Sequence, residues 1–175
     1  YNTTVTEILC KNNNVTGIQI NGNTKKKYEI VISNMDVYFT YEKLLKNIKT
    51  PFRVKNVNSS SSALIFYWGI NDSFENLELH NIFFSKDYEK EFNSIFNEME
   101  FCNDPTIYLS ITSKDNPSDA PSGCENWYVM INTHYDSDHD WVDLAKRYKK
   151  IIIKKIERVL GKSIEKNIVS EEILS

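Results

Sequence analysis

The chain has 175 residues, 41% of them hydrophobic and 13% aromatic, which is enough to build a core for one domain or for one domain and part of another. A net charge of −3 argues against a nucleic-acid binder, which shows a basic excess or stripe. No apolar run reaches the length of a membrane span, and no signal-peptide pattern is present.

Val5 to Cys10 reads as a strand, Lys11 to Asn14 as a turn, and Val15 to Ile20 as a second strand. Asn21-Gly22 is a strong hairpin signal, because both residues tolerate positive φ. Tyr28 to Ile32 follows as a third strand, so residues 5–32 are expected to form an antiparallel meander. Its apolar end, Ile30-Val-Ile32, suits a strand entering a buried sheet. Asp36 then caps a helix with Val37, Tyr41, Leu44, Leu45 and Ile48 on one face, ended by Pro51. The chain does not begin with Met, and its first residues look like the edge of a strand, as in a piece of a longer protein.

Ser59 to Ser62 leads into Ala63–Ile70, a strand rich in β-branched and aromatic residues, and His80–Phe84 is a shorter one. Ser85 is the expected cap of a second helix, whose stripe of Tyr88, Phe92, Ile95, Phe96 and Met99 is expected in the core. Ile107–Thr112 and Trp127–Ile131 are strands joined by a loop that contains Pro117, Pro121 and Gly123. A long helix runs from Asp140 to about Leu160, with Ala145, Tyr148, Ile152, Ile156 and Val159 on one face. Lys146, Arg147, Lys149, Lys150, Lys154 and Lys155 crowd its other sides, and Gly161 ends it. Ile168 to Leu174 is a last strand. The fold class is therefore α+β, with a mixed, largely antiparallel sheet backed by helices and preceded by the meander.

Motifs of chemistry are few. The glycines are too dispersed for a dinucleotide fingerprint or a P-loop. Asp136, Asp138 and Asp140 have calcium-loop spacing, but Trp141 and Arg147 stand where a glycine and a glutamate are required. His134 and His139 share no face of a strand or helix, so no metal site is assigned. Cys10, Cys102 and Cys124 form an odd set without C-x-x-C spacing, which fits free thiols in a reducing compartment. Sequons at Asn2, Asn14, Asn58 and Asn71 are expected by chance in a chain this rich in Asn. His80 is read as a surface or hydrogen-bonded histidine.

Several segments resemble the bacterial phytoene desaturases, in the same order along the chain. They are Val31-Ile-Ser-Asn-Met-Asp36 followed by Tyr41-Glu-Lys-Leu-Leu45, then Ser62-Ala-Leu-Ile-Phe-Tyr-Trp-Gly69 and His80-Asn-Ile-Phe-Phe-Ser85. Ile95-Phe-Asn97, Asp104-Pro105 and Ala120-Pro-Ser-Gly-Cys-Glu-Asn-Trp127 extend the match over essentially the whole chain. The resemblance implies the central part of an FAD-dependent carotenoid desaturase of the amine-oxidase-like superfamily. Residues 1–36 would belong to the FAD-binding domain and 37–175 to the substrate domain. The flavin motifs near the two ends of such enzymes are not in this chain, which alone is expected to bind no flavin and to be inactive.

By the same resemblance, Val5 touches the adenine through its backbone, and Ser33, Asn34, Met35 and Asp36 lie beside the cofactor. The implied reaction removes two hydrogens from a polyene, held in an apolar tunnel for which Phe66, Tyr67, Trp68 and Tyr108 are candidate walls. Only one face of a strand can line such a tunnel. The implied location is cytoplasmic, peripheral at the inner membrane face, with the Lys-rich helix or exposed aromatics touching lipid. Another flavin oxidase of the superfamily, or a non-enzymatic α+β binding module, remains open.

Overall fold

The computed structural model describes residues 2–56, 60–135 and 140–174. The chain divides into two compact units, residues 1–58 and 59–175.

In the first unit β1 (Val5–Lys11), β2 (Asn14–Ile20) and β3 (Thr24–Lys27) form an antiparallel sheet in that order. Asn12 and Asn13 turn the first hairpin with positive φ, and Asn21 and Gly22 turn the second. Gly17 is required by close approach: its φ is +155°, and a Cβ there would stand 2.0 Å from the Lys26 carbonyl oxygen. The third strand lies earlier than the expected 28–32. The Asn21-Gly22 turn is tight, so pairing begins at Thr24 and ends where the Tyr28 N–H donates to the Thr16 carbonyl. Ile30 and Ile32 then run on unpaired among the described residues, 80% and 91% exposed.

The helix expected over 37–48 is also shorter. Asp36 does cap it, its carboxylate accepting from the Tyr38 N–H at 2.8 Å. But α1 (Val37–Phe39) widens at once into a π-helical turn, Thr40–Leu44, and ends at Leu45. The Thr40 hydroxyl lies 3.2 Å from the Met35 carbonyl and 2.8 Å from Ser33 Oγ, the side-chain competition that bends short helices. A further short turn of helix, α2 (Phe52–Lys55), starts after Pro51.

The second unit is built on β4 (Ser62–Ile70), β5 (His80–Phe83), β6 (Ile107–Ser110), β7 (Glu125–Thr133) and β8 (Ile168–Leu174). Their order is β5-β6-β7-β4-β8, and every pairing is antiparallel. Ser59 and the aspartate cluster Asp136, Asp138 and His139 lie outside the described residues. Period-two alternation sends Leu64, Phe66, Trp68, Ile70, Ile107, Leu109, Trp127, Val129 and Ile131 to one face. On that face they form a single core with Leu144, Ala145, Tyr148, Ile152, Ile153 and Ile156 of α4 (Trp141–Leu160). Asp140 caps α4 through the Val142 N–H at 3.0 Å, and Gly161 closes it at φ +65°.

Three side-chain expectations are corrected. Val159 is exposed, and Ile153 takes its place on the buried stripe. Lys155 is not on the solvated face: it is buried, with Nζ 2.7 Å from Asp104 Oδ1 and 2.8 Å from the Pro105 carbonyl. The third concerns α3 (Tyr88–Asn93), which continues as a π-helical turn, Ser94–Glu98, and is capped by Asp87 rather than Ser85. Of its expected core stripe only Ile95 is buried, while Tyr88, Phe92, Phe96 and Met99 are exposed. The reason is Glu91, buried instead, whose carboxylate accepts from the Thr106 N–H and Thr106 Oγ1, each at 2.6 Å. Two charge-assisted bonds to the loop before β6 turn that side of the helix inward.

Candidate functional site

The face of the five-stranded sheet opposite α4 is an open groove of about 880 Å³. The pairing register arranges its side chains in three rows, one residue pair (about 7 Å) apart along the strands. The first row reads Ser170, Gly69, Asn126, with Thr112 following β6 alongside. The second reads Glu172, Tyr67, Tyr128, Ser110, His80, and the third Leu174, Ile65, Met130, Tyr108, Ile82. Polar groups are thus spread over the first two rows, and the third is apolar apart from the Tyr108 hydroxyl.

Aromatic contacts tie the middle together. Tyr67 and Tyr128 meet edge to face with centroids 5.5 Å apart, and Tyr108 meets Tyr128 at 6.1 Å. His80 stacks on Tyr108, and its Nδ1 lies 2.9 Å from the Tyr108 hydroxyl, so His80 is hydrogen-bonded as the sequence suggested. Burial, then the neighbouring Tyr67 and Tyr108, pushes the Tyr128 phenol above its ordinary pKa. It stays neutral, and this band works as a polar-edged apolar surface.

The Pro-rich loop is clamped to the polar row. Asn126 Nδ2 donates to Thr112 Oγ1 at 2.6 Å, Thr112 Oγ1 donates to Asp119 at 2.6 Å, and the Ser113 N–H donates to Asn126 Oδ1 at 2.9 Å. The Ser110 hydroxyl, on a buried residue, and the Ser170 hydroxyl on the edge strand have no hydrogen-bond partner among the described residues. Gly69 lets β8 come close, since a Cβ there would stand 2.3 Å from Ser170 Oγ.

Of the four wall residues named from the sequence, Tyr67 and Tyr108 lie on this face. Phe66 and Trp68 do not. They point to the packed face, 0% and 1% exposed, and Trp68 Nε1 donates to Glu171 at 2.7 Å. The alternation of β4 separates them from Tyr67. Tyr128, Ser110 and Asn126 were not singled out from the sequence. Their parity with Tyr67 depends on cross-strand register, which no single strand reveals.

In the first unit, Val5 opens β1 half-buried opposite Ile20. The segment Ser33–Asp36 forms a turn ahead of α1: the Met35 N–H approaches Ser33 Oγ at 3.4 Å, and the Thr40 N–H donates to the Asp36 carbonyl at 2.8 Å. Asn34 is exposed. Among the described residues no group of three or more His, Cys, Asp or Glu is placed to hold a metal, and no helix is long and apolar enough to cross a membrane.

No protein-family model matches the chain. It is 48% identical over 171 residues to a 1-hydroxycarotenoid 3,4-desaturase from a Flavobacterium species, covering 98% of this chain and 35% of that protein. It is 27% identical to a phytoene desaturase from Neurospora crassa, covering 99% of this chain and 32% of the relative. A 4,4'-diapolycopene oxygenase from a Methylomonas species is 29% identical over 96% of this chain and 34% of its own length. The chain therefore spans about a third of the length of these curated relatives. A solved oxidoreductase from Methanosarcina mazei aligns with 98% of this chain and 36% of its own, with a TM-score of 0.58 and 10% identity, a likeness of fold alone.

Proposed function

Because the chain belongs with the carotenoid desaturases, we propose that the full-length protein is an FAD-dependent desaturase of a long polyene. The observation that carries this reading is the 48% identity to one such enzyme over 98% of the chain. Residues 1–36 are assigned to the FAD-binding domain and 37–175 to the substrate domain. The exposed apolar run Ile30 to Ile32 supports the first assignment, since unpaired apolar backbone of this kind fits a sheet completed by other parts of a longer protein. Val5 and the turn Ser33–Asp36 are the positions in this chain that would border the cofactor. The chain has no glycine-rich phosphate loop, so the pyrophosphate would be held elsewhere in the full-length protein.

When bound, the flavin supplies the hydride acceptor for a dehydrogenation across a C–C bond. The residues of this chain bind and orient the polyene. A hydrocarbon offers no polar handle along its length, so recognition rests on shape and on aromatic contact. Tyr67, Tyr108 and Tyr128 provide that contact, and Ile65, Met130, Ile82 and Leu174 extend the apolar surface. The test is to express the full-length protein in a host that accumulates colourless polyene precursors. New coloured polyenes together with a bound-flavin spectrum are expected. Folded protein without flavin would overturn the reading.

A lipid-soluble substrate calls for contact with a membrane surface, and we propose the cytoplasmic face of the inner membrane as the location of the full-length protein. The exposed side chains of Phe84, Tyr88, Phe92, Phe96 and Met99 suit insertion into the headgroup layer. The Lys-rich helix α4 suits it less, because Lys155 is buried and Lys149 is paired with Glu171 at 2.8 Å. In liposome flotation, Phe92→Ser with Phe96→Ser is expected to reduce the bound fraction. No lipid binding by the unaltered protein would remove the membrane part.

A further inference from the structure

The third row of the open face does not stop at the sheet edge. Ile82 ends that row on β5, paired with Tyr108. Phe84 follows two residues on, and strand alternation puts it on the side of Ile82, while Phe83 between them is buried in the core. The exposed Phe84 ring meets Tyr88 of α3 edge to face, with centroids 6.3 Å apart. Tyr88 and Phe92 are one helical turn apart on the exposed side of α3, and the Phe92 ring lies 4.3 Å from that of Phe96. Apolar side chains thus follow one another from Met130 and Tyr108 in the groove to the aromatic side of α3.

The joint between sheet and helix is fastened by polar bonds. The Ser85 N–H donates to Thr106 Oγ1 at 3.1 Å and the Lys86 N–H to Asp104 Oδ2 at 2.9 Å. Glu91 adds its two bonds to Thr106. All four go to the loop before β6, the strand beside β5, and they hold α3 with its aromatic side turned out. Exposed aromatics in such a series mark a surface that meets something apolar. A polyene that left lipid for the groove through water would expose its whole apolar length on the way. A track of apolar side chains keeps it covered.

We propose that Ile82, Phe84 and Tyr88 form the ramp over which the polyene passes between the lipid surface and the groove, an inference that rests on the desaturase and membrane readings. A residue on a path changes the rate of transfer and leaves the final partition in place, since the partition depends only on the end states. A residue of the binding groove changes the partition itself.

The experiment mixes the full-length, flavin-loaded protein with phosphatidylcholine vesicles that carry a conjugated polyene able to quench tryptophan emission. Trp68 and Trp127 lie beneath the groove. The time course of quenching gives the rate of uptake, its final extent gives the partition, and both are taken per vesicle-bound protein as measured by flotation. Phe84→Ser is expected to slow uptake by about tenfold with the final extent unchanged, whereas Phe84→Leu stays within about threefold. An unchanged rate in Phe84→Ser, a smaller final extent, or a loss in Phe84→Leu as large as in Phe84→Ser overturns the ramp and leaves the desaturase and membrane readings intact. Uptake by unaltered protein that does not float with vesicles removes the membrane reading, and the ramp with it. No uptake by folded, flavin-loaded protein overturns the polyene reading as well.

Discussion

Tyr67 and Tyr128 face each other across β4 and β7, ring planes at 73° and centroids 5.5 Å apart. Residues 61 positions apart in sequence thus make one surface, and Tyr128 also meets Tyr108 on the next strand. Tyr128 is the centre of this band. On the proposed desaturase reading, Tyr128→Ala in the full-length protein is expected to lower kcat/KM for the polyene by about tenfold, the scale of a lost aromatic contact. Tyr128→Phe keeps the ring and is expected to stay within about threefold. Steady-state kinetics with both variants would check this, and equal loss in the two would show that the hydroxyl rather than the ring matters.

Phe66 and Trp68 behave differently because they face α4. Phe66→Ala opens a cavity in the core shared with Tyr148 and Ile152, and is expected to cost about 3–5 kcal/mol of stability. Urea unfolding followed by tryptophan fluorescence measures it. A loss under 1 kcal/mol would mean that the site collapses around the gap or that the side chain is not in the core.

Glu125 is a buried carboxylate with four partners. Lys114 Nζ lies 2.7 Å from Oε1, which also accepts from the Phe74 N–H at 2.9 Å and from Ser73 Oγ at 3.2 Å, while Trp127 Nε1 donates to Oε2 at 2.8 Å. The node ties the loop after β4 and the turn after β6 to the start of β7. Glu125→Ala leaves the Phe74 and Trp127 N–H groups without their acceptor and the half-buried Lys114 ammonium with only the Phe74 carbonyl, an expected loss of about 3–5 kcal/mol. Glu125→Gln keeps hydrogen-bonding capacity and is expected to lose less. A reversed order of the two in thermal unfolding would refute the node.

Asp104 and Lys155 link the loop before β6 to α4. Burial pushes the Asp104 carboxyl up. The hydrogen bond from Lys155, the Lys86 N–H and the charges of Lys155 and Arg158 outweigh that, and the net pKa lies below its ordinary 3.8. A carboxylate lowered in the folded state contributes stability above its unfolded pKa and loses it as pH falls through the folded value. Acid titration of stability is therefore expected to be flatter below about pH 4 in Asp104→Asn than in the unaltered chain. At neutral pH the substitution is expected to cost about 1.5–3 kcal/mol, since the amide carries no charge opposite Lys155 and its one oxygen cannot replace both acceptors used by Lys155 and the Lys86 N–H. Identical acid profiles for the two proteins would show that this carboxyl does not titrate differently on folding.

The sequence by itself determined most of the element types and the helix ends at Asp36, Asp140 and Gly161. Asn21-Gly22, Asp36, Asp140 and Gly161 act through backbone geometry within a few residues, and so they were legible one segment at a time. Period-two alternation also showed that Tyr67 must part from Phe66 and Trp68, though not which of them would face the open side. Only the tertiary structure decided that. Which face of β4 is core depends on where α4 packs, and which tyrosines stand together depends on register across β6, β7 and β4. The same limit explains the two readings that changed most. The aromatic stripe of α3 has helical spacing, yet Glu91 wins the interior because Thr106, 15 residues on, offers it two donors. The apolar run at Ile30 to Ile32 reads as a buried strand, yet burial requires a partner strand, and the β2 pairing ends at Thr16. Local propensity is a property of a segment, whereas burial is a property of what lies against it.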